Sequence, residues 1–150
     1  MSLENLVKIN KLNPHVSNAA EVGRLLTAAR RNVADSNATT ISDETRFDAA
    51  YKAIMQCGLI GLLANHYRPS TTTPGHHQTV IQCLELTMGV PPAVWRVLDA
   101  LRKKRNLNDY DGDLIEPASV AECIQQAQAL VETTTNWLQA NRPDLLPKKK

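Results

Sequence analysis

The sequence predicts an all-α protein, an up-and-down helical bundle of four main helices plus a shorter fifth. Three observations carry that expectation. Apolar residues recur at three- and four-residue spacing through most of the chain, the runs open on capping residues or prolines, and no stretch shows sustained alternation bounded by hairpin turns. A chain of 150 residues suits one domain that buries about two-thirds of its unfolded surface.

The first helix is expected over about 18 to 34, where Asn18 and Glu21 have capping-box spacing ahead of Val22, Leu25, Leu26, Ala29 and Val33. The polar stretch DSNATTI follows. Ser42, with Asp43 and Glu44 behind it, then caps a second helix ending near His66. GLIGLLA makes that helix apolar around much of its circumference, so it is the expected central helix, and Gly58 and Gly61 mark where another backbone comes close. Thr73 and Pro74 read as the cap and first residue of a short third helix, which Gly89 and Pro91-Pro92 end. The fourth opens at that proline pair and carries Val94, Val97, Leu98 and Leu101. For the last, Ser119 and Glu122 have capping-box spacing, and Asn141-Arg142-Pro143 is the stop. Residues 1–17 form an N-terminal extension, 18–141 the helical domain and 142–150 a basic tail.

Composition excludes more than it identifies. A net charge of +2 means that nucleic-acid binding must rest on a local patch. Cys57, Cys83 and Cys123 are odd in number and each lies among apolar residues, as buried thiols in a reducing compartment do. No segment is expected to span a bilayer and the first residues lack a leader pattern, so a cytoplasmic protein with no membrane partner is expected. Serine-nucleophile, dinucleotide-glycine and Walker signatures are absent, and no cofactor is implied.

The stretch LDALRKKRNLNDYDGDLIEP, 98–117, turns from basic to acidic within a few residues. Arg105 lies four residues after Leu101 and continues the apolar face, whereas Lys103 and Lys104 point outward. Arg102, Lys103, Lys104 and Arg105 read either as a cationic last helical turn or as a nucleic-acid-binding patch. Asp109, Asp111 and Asp113 have calcium-like alternation, but a loop opening at Asp109 has Gly112 fourth and Val120 twelfth, where an EF-hand needs glycine sixth and glutamate twelfth. No metal is expected.

The stretch resembles the signature of the HEPN (higher eukaryotes and prokaryotes nucleotide-binding) domain, in which an arginine, usually followed by asparagine, precedes a histidine by four to six residues. Arg105 and Asn106 match, and Tyr110 occupies the histidine's place. RFDAAYKAIMQCGLIGLLANHYRP and PGHHQTVIQCL are similar to the second and third helices of small bacterial members, so the resemblance covers roughly residues 18 to 140. It implies a homodimer with two motifs facing one cleft, and a metal-independent endoribonuclease of toxin–antitoxin type in which Arg105, Asn106 and Tyr110 are catalytic. RNA and a cognate antitoxin or nucleotidyltransferase-like protein are the implied partners. Tyrosine, with a pKa near 10, is a poor general base at neutral pH but can donate a proton. A catalytically inactive protein–protein interaction module is the alternative.

Asp48, His76 and His77 are supporting candidates. Asp48 can pair with Arg105 if their helices are neighbours. The two histidines do not share a helix face, and they read either as packing residues or as part of a site with Tyr67 and Arg68. A helix-turn-helix reading of residues 78–105 fails on the placement of the cations, which gather at the carboxyl half of the second helix.

Overall fold

The computed structural model describes residues 2–72, 74–112 and 114–146, so the assignments made above to Thr73, Asp113 and the last four residues of the basic tail lie outside the described residues. In chain order the elements are α1 (Leu3–Lys8), β1 (Leu12–Pro14), α2 (Ala19–Ser36), α3 (Asp43–Ala64), β2 (Tyr67–Pro69), α4 (His76–Gln82), α5 (Leu84–Met88), α6 (Pro92–Asp111), α7 (Pro117–Asn141) and a 3-10 turn over Pro143–Leu145. The fold is a mostly helical bundle, but the expected count of four main helices and a shorter fifth is corrected. Seven α-helical segments are present among the described residues, and because α4 and α5 abut at Cys83 with near-helical backbone they form six rods. The extra rod is α1, six residues long, whose N-cap Ser2 accepts from the Asn5 amide at 3.2 Å.

The expectation of no sheet is corrected too. β1 and β2 pair antiparallel, with Leu12 opposite Pro69, Asn13 opposite Arg68 and Pro14 opposite Tyr67. Flanking bonds from His15 N to His66 O (2.8 Å) and from Ser70 N to Lys11 O (2.9 Å) extend the ribbon. Asn10 and His66, both at positive φ, turn the chain into the two strands. This ribbon ties the first residues to the bundle, and Leu6 and Leu12 are buried in its core.

The caps follow local chemistry where a short polar side chain precedes the helix. Asn18 accepts from Glu21 N at 2.9 Å and Ser42 from Thr45 N at 3.2 Å. Pro92 opens α6 at the first helical position. Two expected starts move. α4 begins at His76 behind a left-handed Gly75 at the cap, so Pro74 is not its first residue. α7 begins at Pro117 with Glu116 at the cap, two residues before Ser119, which is buried and receives a hydrogen bond from Lys104 Nζ at 2.7 Å.

α3 is the central rod. Phe47, Ala50, Ile54, Cys57, Ile60 and Leu62 on it are sealed from solvent, and α2 and α7 pack along its length. Burial of a side chain such as Phe47 contributes about 2–3 kcal/mol. By length and composition α3 is apolar enough to cross a membrane, which corrects the reading that no segment is; here it is the covered core of a bundle. A Cβ added to Gly58 would lie 2.5 Å from Val80 Cγ1, and one added to Gly61 would lie 2.7 Å from Thr87 Oγ1. The glycines therefore set how closely α4 and α5 approach α3.

Gly23, on α2, has nothing within 4 Å of an added Cβ. Gly58→Ala is expected to cost about 1–3 kcal/mol through overpacking, whereas Gly23→Ala should gain up to about 1 kcal/mol of helix propensity. Urea denaturation of the two variants beside the parent checks the opposite signs.

Candidate functional site

α6 continues to Asp111, six residues beyond Arg105, so the four basic residues are not its last turn, and that reading is corrected. The helix sends them in different directions. Arg102 Nε donates to Asp99 Oδ1 at 2.8 Å, Lys103 lies 3.8 Å from the other Asp99 oxygen, and Lys104 reaches Ser119 on α7. Arg105 turns toward α3. Its guanidinium carbon stands 5.0 Å from the Tyr51 ring centroid, and its Nη2 lies 3.4 Å from Asp109 Oδ2 one turn along. Cation–π contact of this kind is worth about 0.5–2 kcal/mol.

Arg105, Asn106 and Tyr110 do not converge within one chain. A five-residue step on an α-helix is a rotation of roughly 140° away from Arg105. Asn106 is half-buried, and Tyr110 is 84% exposed beside the exposed Leu107 and Leu114.

What Arg105 does share is a cleft of about 380 Å³ between α3, α4 and α6. Asp48, Tyr51, Lys52 and Gln56 line it from α3 and His77 from α4, with Met55 and Leu59 supplying its apolar part. The expected pairing of Asp48 with Arg105 is corrected: the two line the same cleft, but the ion pair of Arg105 is with Asp109. Tyr51 is the hub: its ring is 2% exposed, Arg105 lies over it, and its hydroxyl is 3.1 Å from His77 Nδ1. His76 packs edge-on against His77, ring centroids 4.7 Å apart. Tyr67 donates its hydroxyl to Glu4 at 3.4 Å, and neither it nor Arg68 lines the cleft that His77 shares with Tyr51.

The electrostatics follow from partial burial among cations. Burial pushes the Tyr51 phenol up to about 12, against the pull of Arg105 and Arg102, so it stays protonated at neutral pH. Burial, with His76, Arg105 and Arg102 adding to it, lowers His77 below the usual imidazole value and keeps it neutral at pH 7. Asp48 is raised by burial and by Asp109, with Arg105 and Lys52 opposing. The cleft thus holds a neutral imidazole, a phenol, two cations and the Asp48 carboxyl.

Other sites offer less. A larger surface groove of about 600 Å³ on α2 is lined by Ala19, Gly23, Thr27 and their neighbours with Arg24 and Arg31, and none of its lining residues is a histidine, cysteine or carboxylate. Among the described residues no group of three or more His, Cys, Asp or Glu stands together to hold a metal ion. Cys57, Cys83 and Cys123 are buried thiols, pushed by that burial up to about 12, 11 and 12, so they are poor nucleophiles. Tyr51 was not singled out as a site residue by sequence. Its signal is the polar stripe Asp48, Lys52, Gln56 at four-residue spacing on a helix that is otherwise apolar.

The lowered His77 has a consequence for stability. Above pH of about 6.5 it is neutral in both folded and unfolded chains; as pH falls below that, the unfolded chain takes the proton first, so stability falls until the lower folded pKa is passed. Asp48, raised from 3.8, acts with the opposite sign in more acidic solution. The thermal midpoint should therefore drop as pH falls below about 6.5, and His77→Gln should flatten that drop, as paired melting curves will measure.

No family model, curated protein or solved structure matches this chain.

Proposed function

We propose that this chain is a HEPN-like RNA-interacting protein that receives a phosphate of its RNA in the α3–α4–α6 cleft, with Arg105 as the anchor. The observation that carries the reading is the seat of Arg105: it lies over a buried aromatic ring, inside a cleft that also holds Lys52 and His77. A guanidinium held in this way meets phosphate through a bidentate contact, which a mobile lysine cannot reproduce. Asp48 and Asp109 stand beside it, so the cleft favours one phosphate over a long anionic track. Binding is then local, in keeping with a chain whose net charge is only +2.

A second reading, the non-catalytic docking module, is favoured by the exposed apolar residues at the end of α6. Leu107, Tyr110 and Leu114 are 47%, 84% and 85% exposed. Self-association through this end would form the proposed homodimer, and sedimentation equilibrium of the parent and Tyr110→Ala at micromolar concentration tests it: a parent that stays monomeric removes the homodimer.

For the RNA reading, fluorescence anisotropy with a mixed-sequence single-stranded RNA is expected to show binding that weakens from about 50 to 200 mM salt. Arg105→Ala should lose about 10-fold or more, in line with a charge-assisted hydrogen bond, and Lys103→Ala about 2-fold or less. Equal losses in the two variants, or no binding by the parent, would sink the assignment.

A further inference from the structure

The cleft contains a proton acceptor that the chain's linear motif does not include. We propose that His77 Nε2 accepts the proton of the attacking ribose hydroxyl in RNA cleavage at this cleft, and that Tyr51 is the positioning residue that holds the imidazole for it. The proposal rests on the RNA reading above and names the group that does the chemistry there.

Three observations carry it. His77 and Arg105 line the same cleft from different helices, so an imidazole and a phosphate anchor face one space. The Tyr51 oxygen lies 3.1 Å from His77 Nδ1; the proposed tautomer is the one in which Nδ1–H donates to that oxygen and leaves the lone pair on Nε2. Tyr51 is fixed because its ring is buried between the core and the Arg105 guanidinium. Tyr110, in the motif position, has neither advantage: it is exposed, and it points away from Arg105 around α6.

The step balances without metal or redox partner. The 2′-hydroxyl gives its proton to His77 Nε2 as the O2′–phosphorus bond forms and the phosphorus–O5′ bond breaks. The departing 5′-oxygen takes a proton from water, and the imidazolium returns its own to the hydroxide so formed. The products are a 2′,3′-cyclic phosphate and a 5′-hydroxyl end. Arg105 meets the added negative charge on the phosphoryl oxygens. The charged and titratable groups that face His77 are His76 on its own helix, Asp48, Tyr51 and Lys52 on α3, and Arg102 and Arg105 on α6.

The experiment is single-turnover cleavage of a mixed-sequence single-stranded RNA by the full chain in a chelator-containing buffer, from about pH 5 to 8.5, with binding measured in parallel. Variants are compared after their melting curves confirm that they fold. The expected parent rate rises with pH through an acid limb and levels off, with cyclic phosphate ends. His77→Ala and the near-isosteric His77→Gln should each lose about 100-fold or more in rate and keep RNA affinity within about 2-fold. Tyr51→Phe removes the acceptor that stabilises the imidazolium N–H, so its acid limb should move to lower pH along with a reduced plateau; a merely structural loss would leave the limb in place. Cleavage by both His77 variants at the parent rate, with Tyr110→Phe inactive, would overturn the assignment while leaving the RNA reading intact. Arg105-dependent binding without cleavage by the parent would do the same. No RNA binding by the parent would take down both readings together.

Discussion

The rest of the structure depends on the need to cover α3 on nearly every side. Its thirteen buried residues include faces that no single neighbour could seal, so α2 and α7 run along it and the α4–α5 rod closes a further side. Gly58 and Gly61 set the separation on that side. Their missing side chains let Val80 and Thr87 come against the α3 backbone at distances that a methyl group would prevent. The cost is a weaker helix by about 1 kcal/mol per glycine, and the return is packing that brings the first turn of α4 onto α3. Position of His77 beside Tyr51 is a by-product of that approach, because His77 lies only three residues before Val80 on the same short helix.

Tyr51 converts this packing into a site. A phenol buried this far keeps its proton, and its oxygen is held 3.1 Å from His77 Nδ1. Its ring face then offers Arg105 a partner that does not neutralise the charge. Three helices thereby meet on one aromatic side chain, and each brings a group of different chemistry: a phenol, an imidazole and a guanidinium. The same burial that holds them explains why the imidazole is neutral near pH 7, since cations on α6 and desolvation work in one direction.

Much of the bundle was legible because it is written locally. Asn18, Ser42 and Pro92 sit at or next to the caps, and the close approach at Gly58 and Gly61 could be read from glycines in an apolar helix. The β1–β2 ribbon was not legible. Its strands are three residues each, both contain proline, and they pair across more than fifty residues, so neither carries a period-two signal. The length of α6 was hidden by the low helix propensity of Asn106, Asn108 and Asp109, through which the helix nonetheless continues to a left-handed Gly112 at the C-cap. Ser119 misled for a different reason: it has capping chemistry, but Pro117 already fits the first turn, and the hydroxyl serves Lys104 instead. Arg105 was legible as an unusual cation because it breaks an apolar face. Its cleft partners were less so, since Tyr51 and His77 are 26 residues apart and only the fold joins them.

The basic run also shows how charge is divided once the helix is in place. Arg102 is committed to Asp99 at short range and Lys104 to Ser119, so a count of cations overstates the field available to an anion. Arg105 differs because its own ion pair is weak by construction. The partner Asp109 is four residues later, the less favourable order for a helix pair, the separation is 3.4 Å, and both side chains are about one-third accessible. Exposed pairs of this kind contribute about 0–1 kcal/mol. Charge-assisted hydrogen bonds to a phosphate are worth more, about 1.5–3 kcal/mol, and they require Arg105 to leave Asp109 without leaving the Tyr51 ring. Asp109 is therefore a weak counter-ion to the guanidinium, and the Tyr51 ring is what seats Arg105 at the cleft.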